Sequence, residues 1–163
     1  MFSEFTELIE LKKSTKPLLS GDVFVTQPKR GVNYVGKVIQ VDIKSRNLNF
    51  AGKNLVYIYN YSQDHKEMPD SLDPNKLLLP PTVVSETGWK NGYFETIGNI
   101  PVTPLEKSVD FGFFDDFEKR NVYYNLQGER LTHVPRYADF NGLSSYRSIG
   151  REMHKLLYGK KYY

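Results

Sequence analysis

The side chains able to do acid–base, nucleophilic or metal chemistry are few and scattered. Three histidines, His65, His133 and His154, stand in different segments, none paired at metal-ligand spacing. There is no cysteine, which excludes a disulfide framework, a thiolate zinc site and a cysteine nucleophile. The densest polar run, Ser62–Pro74, carries Asp64, His65, Glu67, Asp70 and Asp73. Its spacing matches neither a calcium loop nor a His-x-x-x-His pair, so it reads as a solvated loop. Asp115 and Asp116 are adjacent, and adjacent strand residues point to opposite faces, so they do not make a carboxylate pair. Neither a glycine-rich phosphate loop nor a G-x-S-x-G elbow occurs. The expectation is a chain without catalytic, metal-binding or cofactor-binding residues.

The aromatic residues suggest recognition instead. Trp89, Tyr93, Phe111, Phe113, Phe114 and Phe117 lie near Asp110, Asp115, Asp116 and Glu118 in sequence. Apolar anchors with a charged rim are how protein interfaces concentrate binding energy. Trp89, Phe111, Phe114, Asp110, Asp115, Asp116 and Glu118 are therefore the candidate partner-binding residues. Against this stands the plainer use of large aromatics as core. Charge is uneven: Lys/Arg against Asp/Glu count 9 to 5 in residues 1–60, 6 to 11 in 61–120 and 7 to 3 in 121–163. An acidic middle between basic ends disfavours nucleic acid, which prefers a concentrated basic face. It suits a basic protein partner.

These residues must be positioned by a mostly β framework. Gly21–Val41 reads as a hairpin, with Val23, Phe24 and Val25 on one arm and a turn at Pro28–Gly31. Tyr34, Val35, Val38, Ile39 and Val41 form the other arm, and Gly36 inside it marks a bulge, bend or close approach. Leu55–Tyr61 is the clearest strand; apolar or aromatic on both faces, it should be covered on both sides. Short strands follow at Thr82–Ser85, Tyr93–Gly98 and Val122–Leu126, with Phe111–Phe117 an edge strand or a lid. Residues 1–20 read as an edge strand or short helix leading in extended form to the hairpin. Asp73-Pro74 could start a helical turn through Leu77 and Leu78.

The C-terminal part should be helical over Tyr146–Tyr158, capped by Ser144 or Ser145 and stopped by Gly159. Tyr146, Ile149, Met153, Leu156 and Leu157 would form its apolar face. The length of 163 residues fits one domain, 1–163. The fold expected is α+β: a curved, mainly antiparallel sheet covered by this helix, with an SH3-like barrel as a variant for its first half. No run approaches the ~20 apolar residues of a membrane span, and Glu4, Glu7 and Glu10 interrupt any signal-like segment. A cytoplasmic location is expected.

Several of these segments resemble the immunity protein 26 family of bacterial polymorphic toxin systems. They are the lysine-rich lead into Gly21-Asp22-Val23-Phe24 and then Tyr34-Val35-Gly36-Lys37-Val38-Ile39. Leu77–Pro81, Gly92-Tyr93-Phe94, Ile97, Gly98 and Asn99-Ile100-Pro101 extend the likeness, which covers about residues 10–105. Lys37 stands where arginine is expected of the family. The resemblance implies an intracellular antidote that binds a cognate toxin domain stoichiometrically and has no catalytic residues. The competing reading is a small β-barrel binding nucleic acid or a peptide. In that reading Tyr34, Tyr57 and Tyr59 would stack on bases beside Lys37 and Arg30.

Overall fold

The hairpin forms where the β-branched and aromatic residues require it. In the computed structural model, which describes residues 8–115 and 121–159, β1 (Asp22–Lys29) pairs antiparallel with β2 (Val32–Gln40). The chain reverses through Gly31, whose φ of +83° suits glycine. Next come β3 (Asn54–Gln63), β4 (Thr82–Val84) and β5 (Glu95–Asn99). They complete a five-stranded antiparallel sheet in the order β4-β3-β2-β1-β5. Register shifts interrupt the β1–β2, β1–β5 and β2–β3 ladders. Such bulges bend strands and increase their twist, hence the curvature. The sheet stays open, and the barrel variant gives way to it because β4 and β5 lie at opposite edges.

Alternation along the strands splits the core into two layers. On one face Phe24, Val38, Val56 and Ile58 pack with Trp89, Phe94, Ile149 and Met153. On the other, Ile39, Leu55, Tyr57 and Tyr59 pack with Phe50, Phe113 and Leu126, and Val23, Val25 and Val35 form a smaller cluster. Strand β3 is thus covered on both sides, as its composition requires.

The first face is closed from three directions. The lead-in Leu8–Ser20 is extended and hydrogen-bonds through Ile9, Leu11 and Ser14 to Gln27, Gly92 and Trp89. The single turn α1 (Thr87–Lys90) swings Trp89 inward, edge-on to Phe24 at 5.0 Å. The third cover is α3 (Tyr146–Tyr158), with Ser145 as N-cap and Gly159 left-handed at its end. Ile149 and Met153 are buried on it, but Leu156 is 55% exposed. Leu156 therefore does not belong to the buried stripe, although its spacing of three from Met153 puts it on the same side of the helix; Leu157 is the residue packed against the core. His154 donates from Nε2 to the Pro28 carbonyl at 2.6 Å, tying α3 to the β1–β2 turn.

The second face carries α2 (Pro104–Lys107) and a three-stranded sheet of β6 (Phe111–Phe114), β7 (Tyr123–Tyr124) and β8 (Tyr137–Phe140). Its order is β7-β6-β8, with β6 and β8 parallel, so the Phe111 segment is a central strand and not an edge. Asp73–Leu78 forms a turn and a bridge from Leu77 to Tyr59, with no helix.

Gly36 has a steric reason. A Cβ there would sit 2.7 Å from Cε2 of Phe24 and closer still to the ring tip. The ring is itself held by Trp89 at 5.0 Å and Phe94 at 5.1 Å. Gly36→Ala should therefore cost about 1–3 kcal/mol by overpacking. The measurement is the urea midpoint at constant m-value; an unchanged midpoint would mean the ring yields freely.

Candidate partner-binding surface

The surface at β6 rests on a buried polar cluster that begins with helix-capping chemistry. Thr103-Pro104-Leu105-Glu106 is a Ser/Thr-x-x-Glu sequence with proline at the first helical position. Thr103 Oγ1 accepts from the Glu106 amide at 3.1 Å, and Glu106 Oε1 accepts from the Thr103 amide at 2.9 Å. This turn points the Glu106 carboxylate at the sheet. There Lys37 Nζ, facing Tyr57 in the β2–β3 ladder, meets Oε1 at 2.7 Å. Lys37 also donates to the Pro101 carbonyl at 3.2 Å. Tyr59 donates its hydroxyl to Glu106 Oε2, and Tyr57 donates to the Glu106 carbonyl at 2.8 Å. Lys37 and Glu106 are each 1% exposed.

Burial alone would raise the Glu106 carboxyl, but the hydrogen bonds from Lys37, Tyr59 and Thr103 outweigh it and hold the group below its ordinary 4.5. Tyr57 and Tyr59 are pushed well above the ordinary 10.0, first by burial and then by the Glu106 charge and hydrogen bond. The cluster is a closed set of donors and acceptors. It docks the Pro101–Lys107 segment on the sheet and so fixes where β6 starts.

Strand β6 is bracketed by two carboxylates. Asp110 accepts from the Arg136 amide at 3.0 Å and pairs with His133 Nε2 at 2.7 Å. The His133 bond comes first among the causes that hold Asp110 below its usual range. Arg136 reaches across to Asn75, 3.0 Å from its side-chain oxygen, and lies over the Tyr137 ring. At the far end, Asp115 accepts from Asn141 Nδ2 at 2.7 Å, beside Arg46 and Tyr124. Between them Phe111 is half-buried against Tyr57 and Phe113, and Phe114 is half-buried edge-on to Phe140.

Asp110, Phe111, Phe114 and Asp115 thus lie on or beside one strand, but alternation turns Phe111 towards Tyr57 and Phe114 to the other face, against Phe140. Asp116 and Glu118 lie outside the described residues. Trp89 does not join them: it is 2% exposed, locked among Phe24 and Phe94 on the opposite face of the five-stranded sheet. The nucleic-acid reading loses three of its five residues, since Lys37, Tyr57 and Tyr59 are each 1% exposed and bonded to Glu106, while Tyr34 is half-buried and Arg30 exposed. Of the histidines, His65 and His133 pair with exposed carboxylates, Asp64 and Asp110. Among the described residues no three His, Asp or Glu side chains converge as a metal site, and no helix is long and apolar enough to cross a membrane.

The architecture is α+β, two open sheets with a C-terminal helix on the larger one. Residues 20–121, from the hairpin through β6, match the family described as Immunity protein 26. The chain belongs to the immunity protein 26 family. Among curated proteins, 109 residues are 28% identical to the serine/threonine-protein kinase ATG1 of Debaryomyces hansenii. That stretch is 65% of this chain but 12% of the kinase, and it transfers no activity. No solved structure matches.

Glu106→Ala should strand Lys37 in the core and cost about 3–5 kcal/mol. Replacing both partners with apolar residues should recover part of that loss, a test for a double-mutant cycle. The pH dependence follows from the shifts. The Glu106 contribution is complete above its ordinary 4.5 and is lost as pH falls through its lower folded value. The tyrosine contributions are complete below 10.0 and are lost as pH rises towards their raised values. Unfolding free energies from pH 2 to 11 check this; a wild-type-to-Glu106→Ala difference that does not shrink in acid would contradict it.

Proposed function

We propose that this chain is a cytoplasmic, non-catalytic antidote that binds the toxin domain of its own polymorphic toxin system one to one. The observation that carries this reading is family membership over residues 20–121. The β6 strand supports it, with half-buried Phe111 and Phe114 between Asp110 and Asp115. A basic toxin face is the complement of this strand, and Asp116 and Glu118 continue its acidic sequence. His133, the Arg136 amide and Asn141 partly satisfy Asp110 and Asp115. Specificity would therefore come as much from shape as from charge.

A tagged copy recovered from its native cells should carry a near-stoichiometric protein with a toxin-like C-terminal domain, identified by mass spectrometry. Co-expression should protect cells from that domain. A blank capture from cells shown to express the partner toxin gene, or no protection, would overturn the reading.

A further inference from the structure

A second acidic, apolar feature lies away from Asp110 and Asp115. A groove of about 610 Å³ runs between β4, β8 and α3, floored in part by Ile149. Its rim is apolar and open: Phe140, Leu143 and Leu156 are 49%, 45% and 55% exposed. The charged side chains lining it, Asp139 and Glu152, are both acidic, and no lysine or arginine lines it. Among the described residues neither carboxylate forms an ion pair, whereas Asp110 has His133. Burial, with the Glu152 charge adding to it, pushes Asp139 above its usual range against the opposing pull of hydrogen bonds with the Phe140 backbone and the Thr82 side chain, a direction opposite to Asp110. Two like charges beside exposed apolar carbon are a complement awaiting a cation on an apolar stem. The groove is also continuous with the β6 surface, because the Phe140 ring stands 6.1 Å from Phe114.

We propose that this groove receives a segment of the partner protein in which a lysine or arginine is flanked by apolar side chains. The cation would lie between Asp139 and Glu152, and the apolar flanks would cover Phe140, Leu143 and Leu156. The identity of the partner as a toxin domain rests on the function proposed above; the chemistry of the groove does not.

The first test uses the full chain and a leucine–lysine peptide, with a leucine–glutamate peptide as control, followed by amide NMR. The lysine peptide should shift resonances of Ala138–Leu143 and Ser148–Leu156, and the glutamate peptide should not. Asp139→Asn and Glu152→Lys, each checked for folding by circular dichroism, should weaken the lysine peptide about tenfold. Both variants should weaken the captured toxin domain by a similar factor. Shifts elsewhere, or equal response to both peptides, would overturn the proposal. So would self-association that fills the groove with a second copy. A toxin domain that binds wild type and both variants equally would remove the groove while leaving the antidote reading intact. Failure to capture any toxin domain would remove that reading and leave the peptide result to decide the groove.

Discussion

The fold depends on one buried ion pair and on its being fully satisfied. Moving an ammonium and a carboxylate out of water costs several kcal/mol per ion, which their attraction repays only with good geometry and further hydrogen bonds. Here Glu106 takes bonds from Lys37, Tyr59 and Thr103, and Lys37 adds the Pro101 carbonyl. The pair joins residues 69 apart in sequence, across two layers that apolar contact alone would hold less specifically. Phe111 can pack on Tyr57 only once Pro101–Lys107 is docked. The Asp110–Asp115 segment is thus aimed by charges buried within the protein.

That dependence changes the meaning of Lys37. On an exposed hairpin arm it would be a phosphate contact or a rim charge. Buried under Pro101 and Glu106, it is part of the frame, and two of the tyrosines proposed to stack on bases spend their hydroxyls on Glu106, Tyr59 on its carboxylate and Tyr57 on its backbone carbonyl. Family membership then points towards protein recognition, and the two acidic surfaces differ in how much of their charge the chain itself answers.

What could be read in the sequence was what local chemistry decides. The Val/Phe/Tyr hairpin, the double-faced Leu55–Tyr61 strand and the Ser145-to-Gly159 helix each carry their own periodicity and caps, and all three form as expected. The Thr103–Glu106 capping box was equally local, and its Ser/Thr-x-x-Glu pattern was the signal that would have placed Glu106. Pairings between distant segments were not legible: β8 lies parallel to β6 with β7 and a turn intervening, and nothing in YADF announces it. Trp89 misled because nearness in sequence to aromatic and acidic residues reads as a shared surface, when Gly88 serves to bring it inward: a Cβ on Gly88 would collide with Phe94. Leu156 misled because helical spacing cannot say where the sheet beneath the helix ends.

The measurement that tests the functional account most directly is a titration of the captured toxin domain's activity with this protein. A stoichiometric, non-catalytic antidote predicts a linear fall to an endpoint at one molecule per toxin domain, with intact toxin recovered on separation. Loss of activity at a small fraction of an equivalent, or toxin recovered chemically altered, would show an enzyme and contradict the account.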